Sequence, residues 1–469
     1  MDGGPVADDR FDVVVLGAGT GGYSAALRAA QLGLSVGLVE RDKVGGTCLH
    51  RGCIPSKALL HSAEIAEHVR DAPDFGVNAT FEGVEITKVH EHKDKVVNAM
   101  WKGLQGALKA RGIETLEGHG RLVDPNTVEV GGEQVRGDAV VLATGSVPRE
   151  IPPAPFDGER IIHSDHALNL DRVPERPIIL GAGAVGMEFA SVWQGFGSQT
   201  VTVIELEDRV LPLEDPDSSR EVARQFRRQG IEVRTGARLS AADASDGGVV
   251  VTVTGGNGEE DKLEGDLLLV AVGRRPVIED CGYEDVGVDL EDGFVTVDEY
   301  CRTNVDGVWA LGDLIPTLGL AHASFAEGFL VADQLGGLSP PPIDYAGVPR
   351  VTFSTPEVAS VGLTEPQARD EGYDVVVETY KFQTIARARM MKSEGVVKLI
   401  ADRRDDTAGR ILGVHLTGPH ATDLIAEGEL IYNWEALPMD VARFIHPHPT
   451  LNEAVGEAHL ALAGRALHG

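Results

Sequence analysis

The chain has 469 residues, 42% hydrophobic and 25% charged, a composition that excludes a mostly disordered or collagen-like protein. Its length points to roughly three domains rather than one core. Acidic residues outnumber basic ones 73 to 42, for a formal charge of −31. Such a surface reads as a solvated acidic face that repels phosphate backbones and anionic lipids, so neither nucleic acid nor membrane is expected as a partner.

Residues 1–10 carry no basic region followed by an apolar run, so no secretory signal is expected and a cytoplasmic location follows by default. Phe11–Leu16 is a β-branched run suited to a buried strand, and it leads into Gly17-Ala18-Gly19-Thr20-Gly21-Gly22. Tyr23, Ala26, Leu27, Ala30 and Leu32 then recur at helical spacing, with Gly33 as the stop. A second strand, Ser35–Val39, ends at Glu40. The pattern repeats about 164 residues later. Pro177–Leu180 is a strand, Gly181-Ala182-Gly183-Ala184-Val185-Gly186 a glycine turn, and Met187, Ala190, Trp193 and Phe196 a helical stripe. Val201–Ile204 then ends at Glu205. The glycine-to-acid spacing is 23 positions in one copy (17 to 40) and 24 in the other (181 to 205), which points to two dinucleotide-binding units in one chain.

Residues 140–145 and 268–273 read as late strands closing the two units, each ending in glycine, Gly145 and Gly273. Val147–Pro155 and Ser339–Pro349 are Pro-rich linkers. After them come strand-like runs at 375–379, 395–400 and 411–416, then helical patterns from Thr422, which suggest an α+β domain with an antiparallel sheet. The expected fold is α/β. Two Rossmann-like domains occupy 1–150 and 151–279, a segment at 280–346 returns to the first half, and a C-terminal α+β domain spans 347–469.

A lone glycine turn is weak evidence, but each copy lies between strand and helix with an acid downstream. Glycines admit a pyrophosphate to the backbone, the helix N-terminus offers N–H groups, and the acid accepts from ribose hydroxyls. Glu205, with Glu207 and Asp208, would repel a 2′-phosphate, so NAD is favoured over NADP. Cys48 and Cys53 lie five positions apart in Gly45-Gly46-Thr47-Cys48-Leu49-His50-Arg51-Gly52-Cys53. They read either as buried thiols, as a small structural disulfide, or as a redox pair. A bridge closing so short a loop stabilises by only about 2 kcal/mol, which favours redox chemistry. Lys57, with Arg51, would stabilise a thiolate. Cys281 and Cys301 read as ordinary cysteines. In His446-Pro447-His448-Pro449-Thr450-Leu451-Asn452-Glu453, a histidine on a stiff turn suits a general base with a carboxylate to orient it, and a surface or metal-binding role is the alternative.

Taken in order, GAGTGG, GGTCLHRGCIPSKALL, LATGS, GAGAVGMEFA, AVGRRP, TNVDGVWALGD and HPHPTLNE resemble the FAD-dependent pyridine nucleotide–disulfide oxidoreductases, and among them the dihydrolipoamide dehydrogenases. The resemblance runs from Phe11 to the C-terminus. It implies oxidation of dihydrolipoamide, carried on lipoyl groups of 2-oxo-acid dehydrogenase complexes, with NAD as acceptor through FAD and a Cys48–Cys53 disulfide. Cys48 would meet substrate and Cys53 would lie against the flavin. His448, not His446, would be the base, oriented by Glu453 and serving the disulfide of the other subunit of a homodimer. The resemblance places Gly17, Gly19, Gly22, Glu40, Arg41, Gly46, Thr47, Lys57, Thr144, Gly145, Gly312, Asp313, Ala321 and His322 toward FAD. It places Gly181, Gly183, Gly186, Glu188, Glu205 and Gly273 toward NAD, with Glu188 also pairing with Lys57 near the flavin; an exposed helical residue is the plainer reading of Glu188. No metal is expected. Lipoyl domains are the expected partners, with the acyltransferase core of such a complex as a further candidate. His50-Arg51 departs from the Asn-Val of many members and keeps open a related NAD(P)H-dependent reductase of another small disulfide. A non-catalytic docking subunit is the rival from outside enzymology.

Overall fold

The computed structural model describes residues 10–256, 258–404 and 407–468. The chain divides into two compact units. One gathers residues up to Ala58, His90–Arg149 and Arg274–Tyr345; the other gathers Leu59–Val89, Glu150–Gly273 and Ala346 to the C-terminus.

In the first unit, strand Arg10–Leu16 lies between Val36–Glu40 and Glu133–Leu142, parallel to both, with Val14 opposite Gly37 on one side and Val140 on the other. Glu114–Glu117 extends the sheet beyond Val36–Glu40, and Val308–Ala310 adds to Glu133–Leu142. Val13, Val14, Val15, Leu38 and residues 140–142 are buried, as expected where both faces of a parallel sheet are covered. Helix Thr20–Gln31 buries Ala25, Ala26 and Ala29, small residues that allow close packing against helix Ala321–Leu335. Residues 140–142 are central in the sheet.

The second unit begins from the repeat. Pro177–Leu180 pairs in parallel with Val201–Ile204 and with Leu267–Val270, in a five-stranded sheet flanked by helix Ala184–Phe196. Met187, Ala190, Trp193 and Phe196 are all buried, as the helical stripe requires. The C-terminal part is an antiparallel five-stranded sheet in the order 350–352, 357–362, 407–418, 396–404, 375–381, covered by helices Ala421–Asn433 and Glu453–Leu462.

The units depart from the sequence expectation: Leu59–Val89, expected in the first domain, falls in the second unit, and the expected second dinucleotide domain and C-terminal domain fall in one unit. The returning segment starts at Arg274 rather than 280, because Arg274–Pro276 pairs antiparallel with Ser146–Pro148. For the same reason part of the 147–155 linker is a strand.

One buried charge network ties the nucleotide part of the second unit to its C-terminal sheet. Lys398 Nζ donates to Asp215 Oδ1 (2.9 Å), Asp217 Oδ2 (2.6 Å) and Glu365 Oε2 (2.8 Å). Asp215, fully buried, also accepts from the N–H groups of Asp217 and Glu365 at the starts of two helices. Lys398→Met leaves that carboxylate buried without its cation, and a loss of about 3–5 kcal/mol is expected. Urea denaturation of the holoprotein reads it; a midpoint unchanged from wild type would show the network to be dispensable.

Candidate active site

The two glycine turns are built alike. A Cβ on Gly17 (φ +106°) would stand 2.3 Å from Ala143 O, and one on Gly22 would stand 1.9 Å from Gly17 O. In the second copy the same distances are 2.4 Å for Gly181 against Ala271 O and 1.9 Å for Gly186 against Gly181 O. Only glycine lets strand, turn and helix approach this closely. A Cβ on Gly19 or Gly183, by contrast, would meet nothing within 4 Å. Those two residues open helices Thr20–Gln31 and Ala184–Phe196, so room is left where unsatisfied N–H groups and the positive dipole end favour an anion. Glu40 accepts from Ala18 N (2.8 Å) and Asp42 N (2.9 Å). Glu205 accepts from Ala182 N (2.7 Å) and Glu207 N (2.9 Å). Each acid is thus fixed by the turn it serves.

The cysteine segment is seated on the first of these turns. Gly45 N donates to Ala18 O (2.8 Å), and a Cβ on Gly46 would lie 2.6 Å from Gly19 Cα. Cys48 and Thr47 lie on the short helix Gly46–Arg51, Gly52 interrupts it, and Cys53 opens helix Cys53–Asp71. This break turns the two side chains toward each other. They are hydrogen-bonded, and no S–S bond joins them. The bond to Cys53 pushes the Cys48 thiol well above the usual range; burial and the charge of Cys53 push the same way, and Lys57 opposes them. Tyr23, which sequence reasoning used only as a helix marker, also belongs here: burial and the two cysteines push its phenol up to about 12. Arg51 is paired with Asp42 (3.1 Å), and it is Lys57 whose charge acts on Cys48. His50 is held by Val44 O (3.0 Å) and lies edge-on to Trp101, whose ring also carries Lys43 at 5.3 Å.

In the C-terminal part, His448 Nδ1 is bonded to Glu453 Oε1 (2.7 Å), and Glu453 Oε2 accepts from Thr450 N (2.8 Å). Burial disfavours the charged carboxylate, but the bonds from His448 and Thr450 outweigh it and hold Glu453 below its ordinary value. The Nδ1 side of the ring is engaged, and the side chain is 72% exposed. His446 is placed differently. It is 14% exposed, its Nε2 is bonded to Glu427 (2.7 Å), and Asn452 donates to the other oxygen of the same carboxylate (3.0 Å). Glu188 is buried, not exposed, and accepts from Phe353 N (3.1 Å).

Residues 11–328 match the family described as pyridine nucleotide-disulphide oxidoreductase, and 348–459 match the dimerisation domain of that family. The chain belongs to the pyridine nucleotide–disulphide oxidoreductases. It is 41% identical to a dihydrolipoyl dehydrogenase of Bacillus subtilis, over 98% of this chain and 99% of that one. A dihydrolipoyl dehydrogenase of Haloarcula marismortui is 38% identical over 97% of each. The crystal structure of LpdA from Mycobacterium tuberculosis superposes with a TM-score of 0.88 at 28% identity, covering 97% of this chain and 99% of that one.

Membership in this family implies FAD and NAD. A cavity of about 410 Å³ is lined by Arg41, His119, Val147, Arg275, Val277, Glu279 and Asp280, at the end of the strand that carries Glu40. Of these, Arg41 alone was singled out from sequence. The others arrive from distant segments that carry no local ligand signal. Thr144 Oγ1 is engaged by the scaffold, with Val277 O at 2.7 Å and Tyr283 OH at 2.9 Å, so its hydroxyl shapes this wall. Gly145 (φ +69°) and Gly273 (φ +103°) meet open space. Gly312 and Asp313 form a short turn, and Ala321 and His322 begin helix Ala321–Leu335. Among the described residues, no group of acids, histidines and cysteines fits a metal ion, and no helix is long and apolar enough to cross a membrane.

Proposed function

We propose that the chain oxidises dihydrolipoamide to lipoamide with reduction of NAD, and that Cys48 and Cys53 are its redox pair. The observation that carries this reading is the contact between the two thiols on the first glycine turn. His448 takes a proton from one substrate thiol at Nε2, while Glu453 holds the ring through Nδ1 and stabilises the imidazolium. The substrate thiolate attacks Cys48 in the oxidised pair, and Cys53 leaves as a thiolate. The second substrate sulfur then displaces Cys48, so lipoamide departs with its new S–S bond and the protein pair is left reduced by two electrons. One proton rests on His448. The other rests on the cysteine pair. FAD, when bound, supplies the two-electron chemistry that links this dithiol to the nicotinamide.

The working form in this reading is a homodimer in which the His448–Glu453 pair of one copy serves the dithiol of the other. Phe444 and Ile445, 70% and 96% exposed, immediately precede the histidine segment within the dimerisation domain and supply apolar surface for that contact. The partners are lipoyl domains of a 2-oxo-acid dehydrogenase complex and its acyltransferase core, and the location is cytoplasmic.

A substrate panel tests the proposal. Dihydrolipoamide with NAD should turn over, and glutathione disulfide with NADPH should not. The reverse preference would move the protein to the related reductases. Glu205→Ala should raise the KM for NAD about tenfold and narrow the NAD/NADP preference, since its carboxylate both holds the turn and opposes a 2′-phosphate. An unaltered preference in steady-state kinetics would remove Glu205 from nucleotide selection.

A further inference from the structure

Three sequence motifs meet at one carboxylate in the first unit. Ser146, the last residue of LATGS, donates through Oγ to Asp313 Oδ2 in the Gly312–Leu314 turn. Arg274, from AVGRRP, donates through Nε to the same Oγ (2.7 Å) and through Nη2 to Ser146 O (2.8 Å). Its Nε also stands 3.8 Å from Asp313 Oδ2. A hydroxyl has one proton to give and lone pairs to receive, so Ser146 passes polarisation from a guanidinium to a carboxylate without leaving either unmatched. The backbone of the turn is gripped separately. Gly312 N donates to Glu327 Oε2 (2.7 Å), and this fully buried carboxylate also accepts from Thr317 Oγ1 and Tyr345 OH, both at 3.0 Å.

The placement of the relay is as informative as its bonds. Ser146–Pro148 and Arg274–Pro276 pair antiparallel, with Ser146 opposite Pro276 and Arg274 opposite Pro148. The chain leaves the first unit after Arg149 and returns to it at Arg274. The relay therefore fastens the outgoing and returning segments to each other and to the turn that carries Asp313.

We propose that Ser146 and Arg274 are positioning residues for FAD. They lock the rotamer of Asp313, so that its other oxygen is presented in one direction. This rests on the reading of Asp313 as an FAD contact. Neither residue is assigned any part in the thiol chemistry. A hydrogen bond to a charged group is worth enough that losing one should speed FAD release roughly tenfold or more.

The test uses the purified holoprotein and follows FAD release by recovery of flavin fluorescence. The variants are Ser146→Ala, Arg274→Met, Asp313→Asn and the Ser146→Ala/Asp313→Asn double substitution, and urea unfolding of each apoprotein is measured in parallel. Expected is about tenfold faster release in Ser146→Ala and Arg274→Met, well beyond any change in apoprotein stability that loss of the strand fastening brings. The double variant should release FAD no faster than Asp313→Asn alone, because Ser146 acts only through that carboxylate. Wild-type release from Ser146→Ala and Arg274→Met beside fast release from Asp313→Asn overturns the positioning role and leaves the FAD assignment standing. Wild-type release from Asp313→Asn overturns the assignment, and the proposal with it. Additive effects in the double variant, or apoprotein destabilisation in step with release, show a scaffold role and overturn the proposal as well.

Discussion

Cys48→Ser is expected to lower dihydrolipoamide oxidation by roughly a thousandfold or more, with FAD still bound. A serine oxygen cannot form the S–S bond that the exchange requires, and Cys53 alone cannot resolve a mixed disulfide into free lipoamide. The proposed FAD residues Gly17, Gly19, Gly22 and Arg41 lie in other segments of the chain and keep their own side chains, so flavin binding should survive. Steady-state assay with dihydrolipoamide, beside the flavin absorbance of the same sample, reads both. A variant within tenfold of the wild-type rate would remove the cysteine pair from the electron path. Loss of flavin together with loss of rate would make Cys48 part of the fold instead.

The features legible in the sequence were the local ones. The strand–glycine–helix–acid repeat is written in contiguous residues, and the near-equal spacings to Glu40 and Glu205 end in the same bonds, from Ala18 N in one copy and Ala182 N in the other. The cysteine pair was legible because Gly52 and five positions are enough to bring two side chains together. Partners set by distant register were not legible. Arg274 meets Ser146 across a two-strand pairing that joins segments more than a hundred positions apart. His119 and Glu279 reach the cavity in the same way. Strands Arg350–Thr352 and Glu357–Gly362 were missed because they follow a Pro-rich stretch; the first pairs only with the second, and the second takes its other partner from 407–418. Glu188 read as an exposed helical residue as readily as a functional one, since nothing local shows that Phe353 N covers it. The charge on Arg51 looked available to the thiols until Asp42 was seen beside it.

His448→Gln is expected to lower thiol turnover by roughly a hundredfold to ten-thousandfold, while NADH still reduces the flavin. Two histidines two positions apart differ in their surroundings. His446 is inside, with Nε2 bound to Glu427 and a carboxylate shared with Asn452, so its ring is occupied in holding the segment. His448 is outside, 72% exposed, with its Nδ1 bound to Glu453. Glutamine keeps a polar group for Glu453 but cannot accept a proton, so geometry is largely conserved and acid–base function is lost. Stopped-flow mixing with NADH separates this from misfolding: rapid flavin reduction beside slow dihydrolipoamide turnover places His448 on the thiol side alone. Equal loss of both half-reactions would assign it to the scaffold, and full retention of thiol turnover would return the proton to another base.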